Sequence, residues 1–378
     1  MTDAPAIATA RSTYDVIVVG ARCAGSPTAM LLARLGYRVL LLDRASFPSD
    51  SMRAHFVRSA GVERLDRWGL LPRIEASGCP AIRQWVVDLG DFPLPMPSEV
   101  LDGGPLQYAP RRFVLDAILV EAAAAAGVEV RQGFSVQEVL QEDGRVVGVR
   151  GRARGGREVT ERARLVVGAD GLHSLVARAV GAPIYDTRPT LACSYYSYFG
   201  DVPIDGLNGA FRADRVVFAV PTNGDLTLVY VAAPIAAFPA FRADIEGAFF
   251  DSLDRVPWLA ERVRSGRRAE RWLGSGDLPN FFRKPYGPGW ALVGDAGYHR
   301  DPIPARGISD AFRDAELLVE AIDAGFGGRV PLEAALAGYE RRRNEAARPL
   351  YEETLARAAF QPFPPEVYAQ RAALRPAA

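Results

Sequence analysis

Lysine is nearly missing from this chain: of 45 basic residues, only Lys284 is not arginine. Cysteine is scarce as well. Cys23, Cys79 and Cys193 stand far apart with no C-x-x-C pair, which argues against a disulfide framework or a zinc site and suits a reduced, cytoplasmic setting. His55, His173 and His299 are isolated, so the spacing of a metal site is absent too. Net charge is zero, because 45 acidic residues balance the 45 basic ones. That leaves no field to gather nucleic acid or an anionic membrane. No run of about eighteen apolar residues occurs, which excludes a helical membrane span. Residues 1–13 have neither a basic start nor an apolar stretch, so they read as a flexible tail and not as a signal peptide.

What is present begins at Tyr14. The 378 residues are 49% hydrophobic and 24% charged, the balance of a globular protein with a sizeable core. Val16 to Val19 form a β-branched run suited to a strand buried on both faces of a parallel sheet. Gly20 ends it, Thr28 to Leu35 has helical spacing, Gly36 stops the helix, and Arg38 to Leu42 is a second strand ending at Asp43. The unit is βαβ, with a first turn able to hold a pyrophosphate on a helix N-terminus and an acid about 20 residues on to bind a ribose. The loop reads Gly20-Ala21-Arg22-Cys23-Ala24-Gly25, with Arg22 where the fingerprint has its second glycine. Either the loop stands further from the phosphates or Arg22 turns outward. Such a fingerprint is weak alone, and a βαβ unit without a nucleotide is the competing reading.

Further along, apolar residues recur at helical spacing from Val57 to Trp68, after loop residues 46–51, with His55 and Arg58 at the mouth of the element. Ala81 to Gln107 is broken by prolines and glycines into short strands and loops, and Phe113 to Ala126 restores a long helix. A turn at Glu142 to Arg145 joins two strands; Leu165 to Val167 is another buried strand, Gly168-Ala169-Asp170-Gly171 a tight turn, and Ser174 to Val180 a helix. From Arg188 to Arg271 the pattern is of aromatic, alternating strands, with Asn223-Gly224 marking a hairpin. A third glycine joint, Gly294-Asp295-Ala296-Gly297, follows the strand Trp290 to Val293; Asp301 to Pro304 is a stiff loop, and Gly307 opens a helix to Ile322.

Glycine beside an acid at three strand ends, in the order of a dinucleotide loop, GADGLHS and GDAG, resembles the para-hydroxybenzoate hydroxylase-like FAD monooxygenases. It is similar also to the geranylgeranyl reductase and flavin halogenase branches of that fold. The resemblance, from Tyr14 to Ile322, implies an α/β fold: a Rossmann-like FAD-binding domain with an inserted antiparallel β-sheet substrate domain. The FAD part then comprises 14–80, 105–187 and 272–325, the substrate part 81–104 and 188–271, and 326–378 is a C-terminal helical segment. By the same resemblance Gly20, Ala24 and Gly25 hold the pyrophosphate, and Asp43 and Arg44 the adenosine side. Arg112 and Asp295 serve the ribityl and phosphate region, Arg58 the pyrophosphate side, and Asp170 both FAD and NAD(P)H. Pro302, Gly307 and Ile308 border the flavin, where the helix dipole faces the ring edge that gains negative charge on reduction. Tyr298 stands where the family's third motif has histidine.

The implied activity is hydroxylation of an aromatic or other electron-rich small molecule with NAD(P)H and dioxygen, through a flavin hydroperoxide, in secondary metabolism. The cofactor carries the chemistry, so the protein supplies a dry, positioned pocket. No second glycine fingerprint exists for NAD(P)H, which leaves direct reduction and a separate flavin reductase both open. His299 and Arg300, beside the flavin loop, and Tyr196, in the aromatic strand Tyr195-Tyr196-Ser197-Tyr198, are the catalytic candidates. The alternatives are a geranylgeranyl reductase-like enzyme acting on a C=C bond and a non-catalytic flavin carrier; the aromatic insert argues against the carrier. Tryptophan-halogenase chemistry needs a lysine after the first βαβ unit, and Lys284 lies elsewhere.

Overall fold

The computed structural model describes residues 14–49 and 55–374. The expected tail and the last two residues of the expected 46–51 loop lie outside the described residues. Tyr14–Val19 lies at the centre of a sheet, parallel on one side to Val39–Leu42 and on the other to Glu158–Gly168. Glu129–Arg131 extends the sheet beyond Val39–Leu42, and Trp290–Leu292 extends it beyond Glu158–Gly168, both again parallel. Val16, Ile17 and Val18 are fully buried, as a strand covered on both faces requires. The helices Gly25–Arg34, Arg112–Ala125 and Gly307–Phe326 cover one face, and their apolar residues join those of the strands in one large core. The hairpin Phe134–Glu142 and Arg145–Ala153, turning at Asp143 and Gly144 with positive φ, packs with the other face.

The second large sheet is antiparallel through Ala192–Gly200, Leu226–Pro234, Arg215–Thr222 and Leu207–Arg212. Gln84–Asp88 then pairs in parallel with Leu207–Arg212 and carries Pro93–Pro97 at the edge. Side chains alternate across this sheet. Tyr195, Phe199, Val217 and Val229 point to one side, Tyr196, Tyr198, Val216, Leu228 and Tyr230 to the other. The first side is covered by three helices, Phe238–Ala243, Ile245–Asp254 and Pro257–Ser265.

Those helices correct the expectation of strands throughout 188–271. Phe241, Phe249, Leu253, Leu259 and Val263 are buried against the sheet at spacings that suit helices, although the segment shares the aromatic content of its strand neighbours. The helix expected from Val57 begins instead at Ser59, because Val57 exchanges two backbone hydrogen bonds with Tyr108 and is held extended. Within 81–107, where only strands and loops were expected, Ser98–Asp102 is a short helix closed by Gly103 at φ 73°. The Gly307 helix runs past Ile322 to Phe326.

Leu332–Ala358 packs back along the Gly307 helix. Its Arg343 is wholly buried, stacked near Tyr298 and Phe282, and donates to the carbonyls of Gly297 and Arg283 and to the Tyr185 hydroxyl. The last helix, Pro365–Ala373, buries Arg371, which donates to Asp91 and to the carbonyls of Val87 and Phe92. The C-terminal segment is thereby tied to the edge of the second sheet. Among the described residues no helix is long and apolar enough to cross a membrane.

Candidate active site

The three glycine joints lie side by side at one end of the parallel sheet. Gly20 donates its N–H to Leu42 O at 2.7 Å, Ala169 to Val19 O at 2.8 Å, and Val293 to Gly168 O at 3.0 Å. Gly20 has φ +105°, and a Cβ on it would stand 2.4 Å from Ala169 O; a Cβ on Gly25 would stand 1.7 Å from Gly20 O. Only glycine lets the helix start so close to the strand end. The N-cap of this helix, Ala24, offers no side-chain hydrogen bond, and no acid sits in the first turn. The positive end of the dipole thus has no anion of its own. Asp43 spans the turn: Oδ2 accepts the Ala21 N–H and Oδ1 the Ala45 N–H, both at 2.7 Å. Arg44 beside it is exposed.

Arg22 lies over the Phe47 ring and donates to Asp116 at 2.5 Å and to Ser49 at 3.1 Å. Asp116 is fully buried and also receives Nε and Nη2 of Arg112, at 3.1 and 2.8 Å. Burial opposes the charge of Arg112, but Cys23, Asp116 and Asp295 outweigh it and push its pKa up. Burial pushes the Cys23 thiol up to about 12, which leaves it unreactive. Asp295 itself is half-buried in the short turn Gly294–Ala296. A Cβ on Gly294 would meet Ala24 at 2.8 Å, so the first and third joints touch. Gly20, Ala24, Gly25, Asp43, Arg112 and Asp295 are thus gathered around one end of the sheet.

The loop before the Gly307 helix lies next to this group. Ala305 adopts φ 51°, and a Cβ on Gly307 would meet nothing within 4 Å, so the helix starts against open space. Its N-cap, Arg306, makes no side-chain capping bond. Ile308 is buried in the main core, and Pro302 is half-buried. Arg58 is held against this loop: Nη2 donates to Pro304 O at 2.6 Å, Nη1 to Asp102 at 3.1 Å, and the guanidinium lies 4.6 Å from the Trp85 ring centre. Burial and the neighbouring Arg306 pull its pKa down to about 10, which leaves it charged at neutral pH. Asp170 accepts from Ser174 at 2.5 Å and from the Leu175 N–H at 2.6 Å, capping the short helix that follows. Burial raises its pKa against those bonds.

The three catalytic candidates occupy different settings. Tyr196 lies on the sheet side that packs with Ile303 of the loop, edge-on to Tyr198 at 6.1 Å. His299 is buried, its Nδ1 2.5 Å from Pro279 O and its ring stacked on Phe281. Arg300 is buried and paired with Asp310 in the first turn of the Gly307 helix, where Arg313 also bonds Asp310 at 3.0 Å.

Four residues not nominated from the sequence belong to the same region. Asp116 was visible as an acid four residues after Arg112 on one helix face. Asp301 immediately precedes Pro302; it is 1% exposed, and burial pushes its carboxyl up to about 7. Tyr230 stands across from Tyr196 in the paired strand. His55 meets the Tyr198 hydroxyl at 2.7 Å, and burial with the charges of Arg111 and Arg112 pulls it down to about 3, so it is neutral. Periodicity carries no signal for that pair, whose members are far apart in the chain.

Residues 13–222 match the model of a family described as FAD binding domain. Digeranylgeranylglycerophospholipid reductase 1 of Methanopyrus kandleri is 30% identical over 333 residues, covering 82% of this chain and 81% of the relative. The digeranylgeranylglycerophospholipid reductase of Methanocella arvoryzae is 27% identical over 318 residues, 81% of this chain and 76% of its own. Among solved structures, the myxobacterial chondrochloren halogenase CndH, a variant FAD-dependent halogenase, has a TM-score of 0.84 at 26% identity, with 96% of this chain and 89% of that one covered. PqsL of Pseudomonas aeruginosa, a probable FAD-dependent monooxygenase, has a TM-score of 0.78 at 22% identity over 91% and 95%, a likeness of fold.

Proposed function

Because this chain belongs to the FAD binding domain family and is an FAD-dependent oxidoreductase, we propose that it is a monooxygenase inserting one oxygen atom from dioxygen into an aromatic or other electron-rich small molecule, with NAD(P)H as the electron source. The residues fit the cofactor. Glycines stand where a Cβ would block the strand–helix approach, and two helix N-termini lack side-chain caps. Gly20, Ala24, Gly25 and Arg112 would hold the pyrophosphate, Asp43 the adenosine ribose, Asp295 the ribityl chain, and Pro302, Gly307 and Ile308 the ring. Bound FAD supplies electron transfer and the activation of dioxygen.

The chain's own part is to place the substrate and keep water out. One observation carries the reading: the sheet side bearing Tyr196, Tyr198 and Tyr230 closes with Phe56 and Trp85 onto Ile303 of the loop. All of these side chains are 8% exposed or less. A dry aromatic wall next to the flavin loop suits a compact aromatic substrate. On this reading 81–104 and 188–271 form the substrate part, and Tyr196 lines the chamber. His299 and Arg300 brace the loop, and in Arg300 one buried guanidinium nitrogen closes no hydrogen bond among the described residues.

The test is substrate-stimulated NAD(P)H oxidation by FAD-loaded protein under labelled dioxygen, with mass spectrometry of the product. Incorporation of one labelled atom supports the proposal; an unlabelled product rejects it. The reductase relatives favour a second reading, saturation of a C=C bond. Anaerobic turnover to a saturated product would support that reading. Electron supply is tested in the same vessel: if NAD(P)H alone leaves the flavin oxidised, a separate flavin reductase is the donor.

A further inference from the structure

Among the described residues no cation is bound to Asp301, a buried acid. Its N–H donates to Asn280 Oδ1 at 2.8 Å and its Oδ1 accepts the Ile303 N–H at 3.0 Å, while Oδ2 closes no hydrogen bond among the described residues. Arg300, adjacent in the chain, pairs with Asp310 instead. On the strand Leu226–Pro234 the buried Tyr230 hydroxyl, within reach of the Ser194 side chain, lies in the field of the Asp301 carboxylate, and the Tyr230 ring shares one apolar cluster with Ile303, two residues after Asp301. Cys193 is the other titratable group that feels Asp301, and the residue packed from the strand Asn280–Arg283 is the neutral Asn280. Ile303, Tyr196, Phe56 and Trp85 form one cluster with Tyr230, and the Arg58 guanidinium, bonded to Asp102 and to Pro304 O, lies over the Phe56 and Trp85 rings.

A buried carboxylate oxygen without a partner is destabilising, because it has lost its water and gained no donor in return. The balance is restored by a proton or by a ligand that donates hydrogen bonds. A buried carboxylate oxygen with a free acceptor site matches a cationic donor, which fills the site and offsets the charge in one step. An anionic ligand would be repelled by it, and a neutral alcohol would offset less of the cost.

We propose that Asp301 and Tyr230 form the polar end of the substrate chamber and receive a protonated amine of the substrate, whose aromatic body lies against the sheet side. This rests on the reading of that side as the substrate chamber. Asp301 accepts the ammonium hydrogen bonds at Oδ2, and Tyr230 positions the nitrogen from the opposite strand.

The experiment is calorimetric titration of FAD-loaded protein with phenethylamine and with phenethyl alcohol, a pair that differs in the charged nitrogen. The amine should bind at least about 10-fold more tightly, with proton release near neutral pH as the carboxyl gives up its proton. Asp301→Asn should bind the two probes alike while retaining FAD, and Tyr230→Phe should weaken amine binding with FAD retained. Equal affinities in the unaltered protein, failure of both probes to bind, or an amine preference that survives Asp301→Asn would overturn the proposal. Amine preference without labelled product rejects the monooxygenase reading alone, and labelled product without amine preference rejects this inference alone.

Discussion

Gly25→Val tests the dinucleotide site where its geometry is tightest. A Cβ at this position would stand 1.7 Å from Gly20 O and 3.0 Å from the Ala169 Cβ. Ordinary contact needs about 3.4 Å or more, so the helix start must retreat from the strand end by roughly 1.5 Å, and a branched residue adds two methyl groups to the same gap. Both neighbours are fixed: Gly20 by its hydrogen bond to Leu42 O and Ala169 by its bond to Val19 O. Overpacking of this kind costs about 1–3 kcal/mol where side chains can yield, and more against backbone. On the proposed assignment, retreat also withdraws the helix amides from the phosphates. Charge-assisted hydrogen bonds there contribute about 1.5–3 kcal/mol each, so loss of one weakens FAD binding roughly 10- to 100-fold. FAD affinity is read by quenching of flavin fluorescence and apoprotein stability by urea denaturation. Gly36→Ala serves as the control, since Gly36 has φ +90° but nothing within 4 Å of its Cβ position. It should cost about 1 kcal/mol of stability and leave FAD affinity alone. Unchanged FAD affinity in Gly25→Val would refute the reasoning, because no arrangement of this turn admits a branched side chain without moving the helix.

Asp43→Ala removes the acceptor for the Ala21 and Ala45 amides as well as the proposed ribose contact, and should weaken FAD retention by about 10-fold or more; equal FAD content after dialysis would sink that assignment. Lys284 is exposed, with its Nζ 4.9 Å from the Tyr286 ring centre. Reduced flavin, dioxygen and bromide should therefore yield no brominated product, and Lys284→Arg should leave turnover unchanged; a halide isotope pattern lost in the variant would contradict this. Asp301 has a folded pKa of about 7 against an ordinary 3.8, so the folded state retains a proton that the unfolded chain releases between those values. Its contribution is complete at acid pH and is lost as pH rises through about 7. Asp301→Asn should gain urea stability relative to the unaltered protein on going from about pH 5 to about pH 8, on the order of 2 kcal/mol; parallel pH profiles would show that the carboxyl is already ionised.

The parallel-sheet half was legible because its signals are local. A β-branched run, a glycine break and a helical stretch specify the first βαβ unit within thirty or so residues, and the same grammar recurs at Gly168 and Gly294. The side chains of Tyr195 and Tyr196 fall on opposite sides of their strand, as alternation requires. Illegible were the helices within 238–265, whose phenylalanines are equally good strand residues until their spacing is weighed. Also hidden were contacts set only by tertiary approach: His55 with Tyr198, Asp301 with Asn280, and Arg58 with Pro304. Arg58, assigned to the pyrophosphate side by the resemblance, bonds Asp102, Ser309 and Pro304, next to the start of the Gly307 helix.

Arg22 shows how a departure from a motif can leave the motif's geometry intact. The sequence allowed two outcomes, a loop standing off from the phosphates or a side chain turned outward. The structure holds the guanidinium sideways, clasped by Asp116 and Ser49 and laid over Phe47. The side chain is 30% exposed, so part of it remains in solvent while its charge is matched by an acid that is wholly buried. The close approach of Gly25 to Gly20 persists beside it. An arginine is tolerated there because Asp116, shared with Arg112, needs more than one donor: a buried carboxylate has about four acceptor sites, and Arg112 occupies only part of them. The extra cation also ties the loop to the Arg112 helix and to residue 49, places that a glycine could not reach. The second position of the fingerprint has therefore exchanged backbone freedom for a side-chain tether, while the strand–helix turn proposed to hold the phosphates still rests on Gly20 and Gly25.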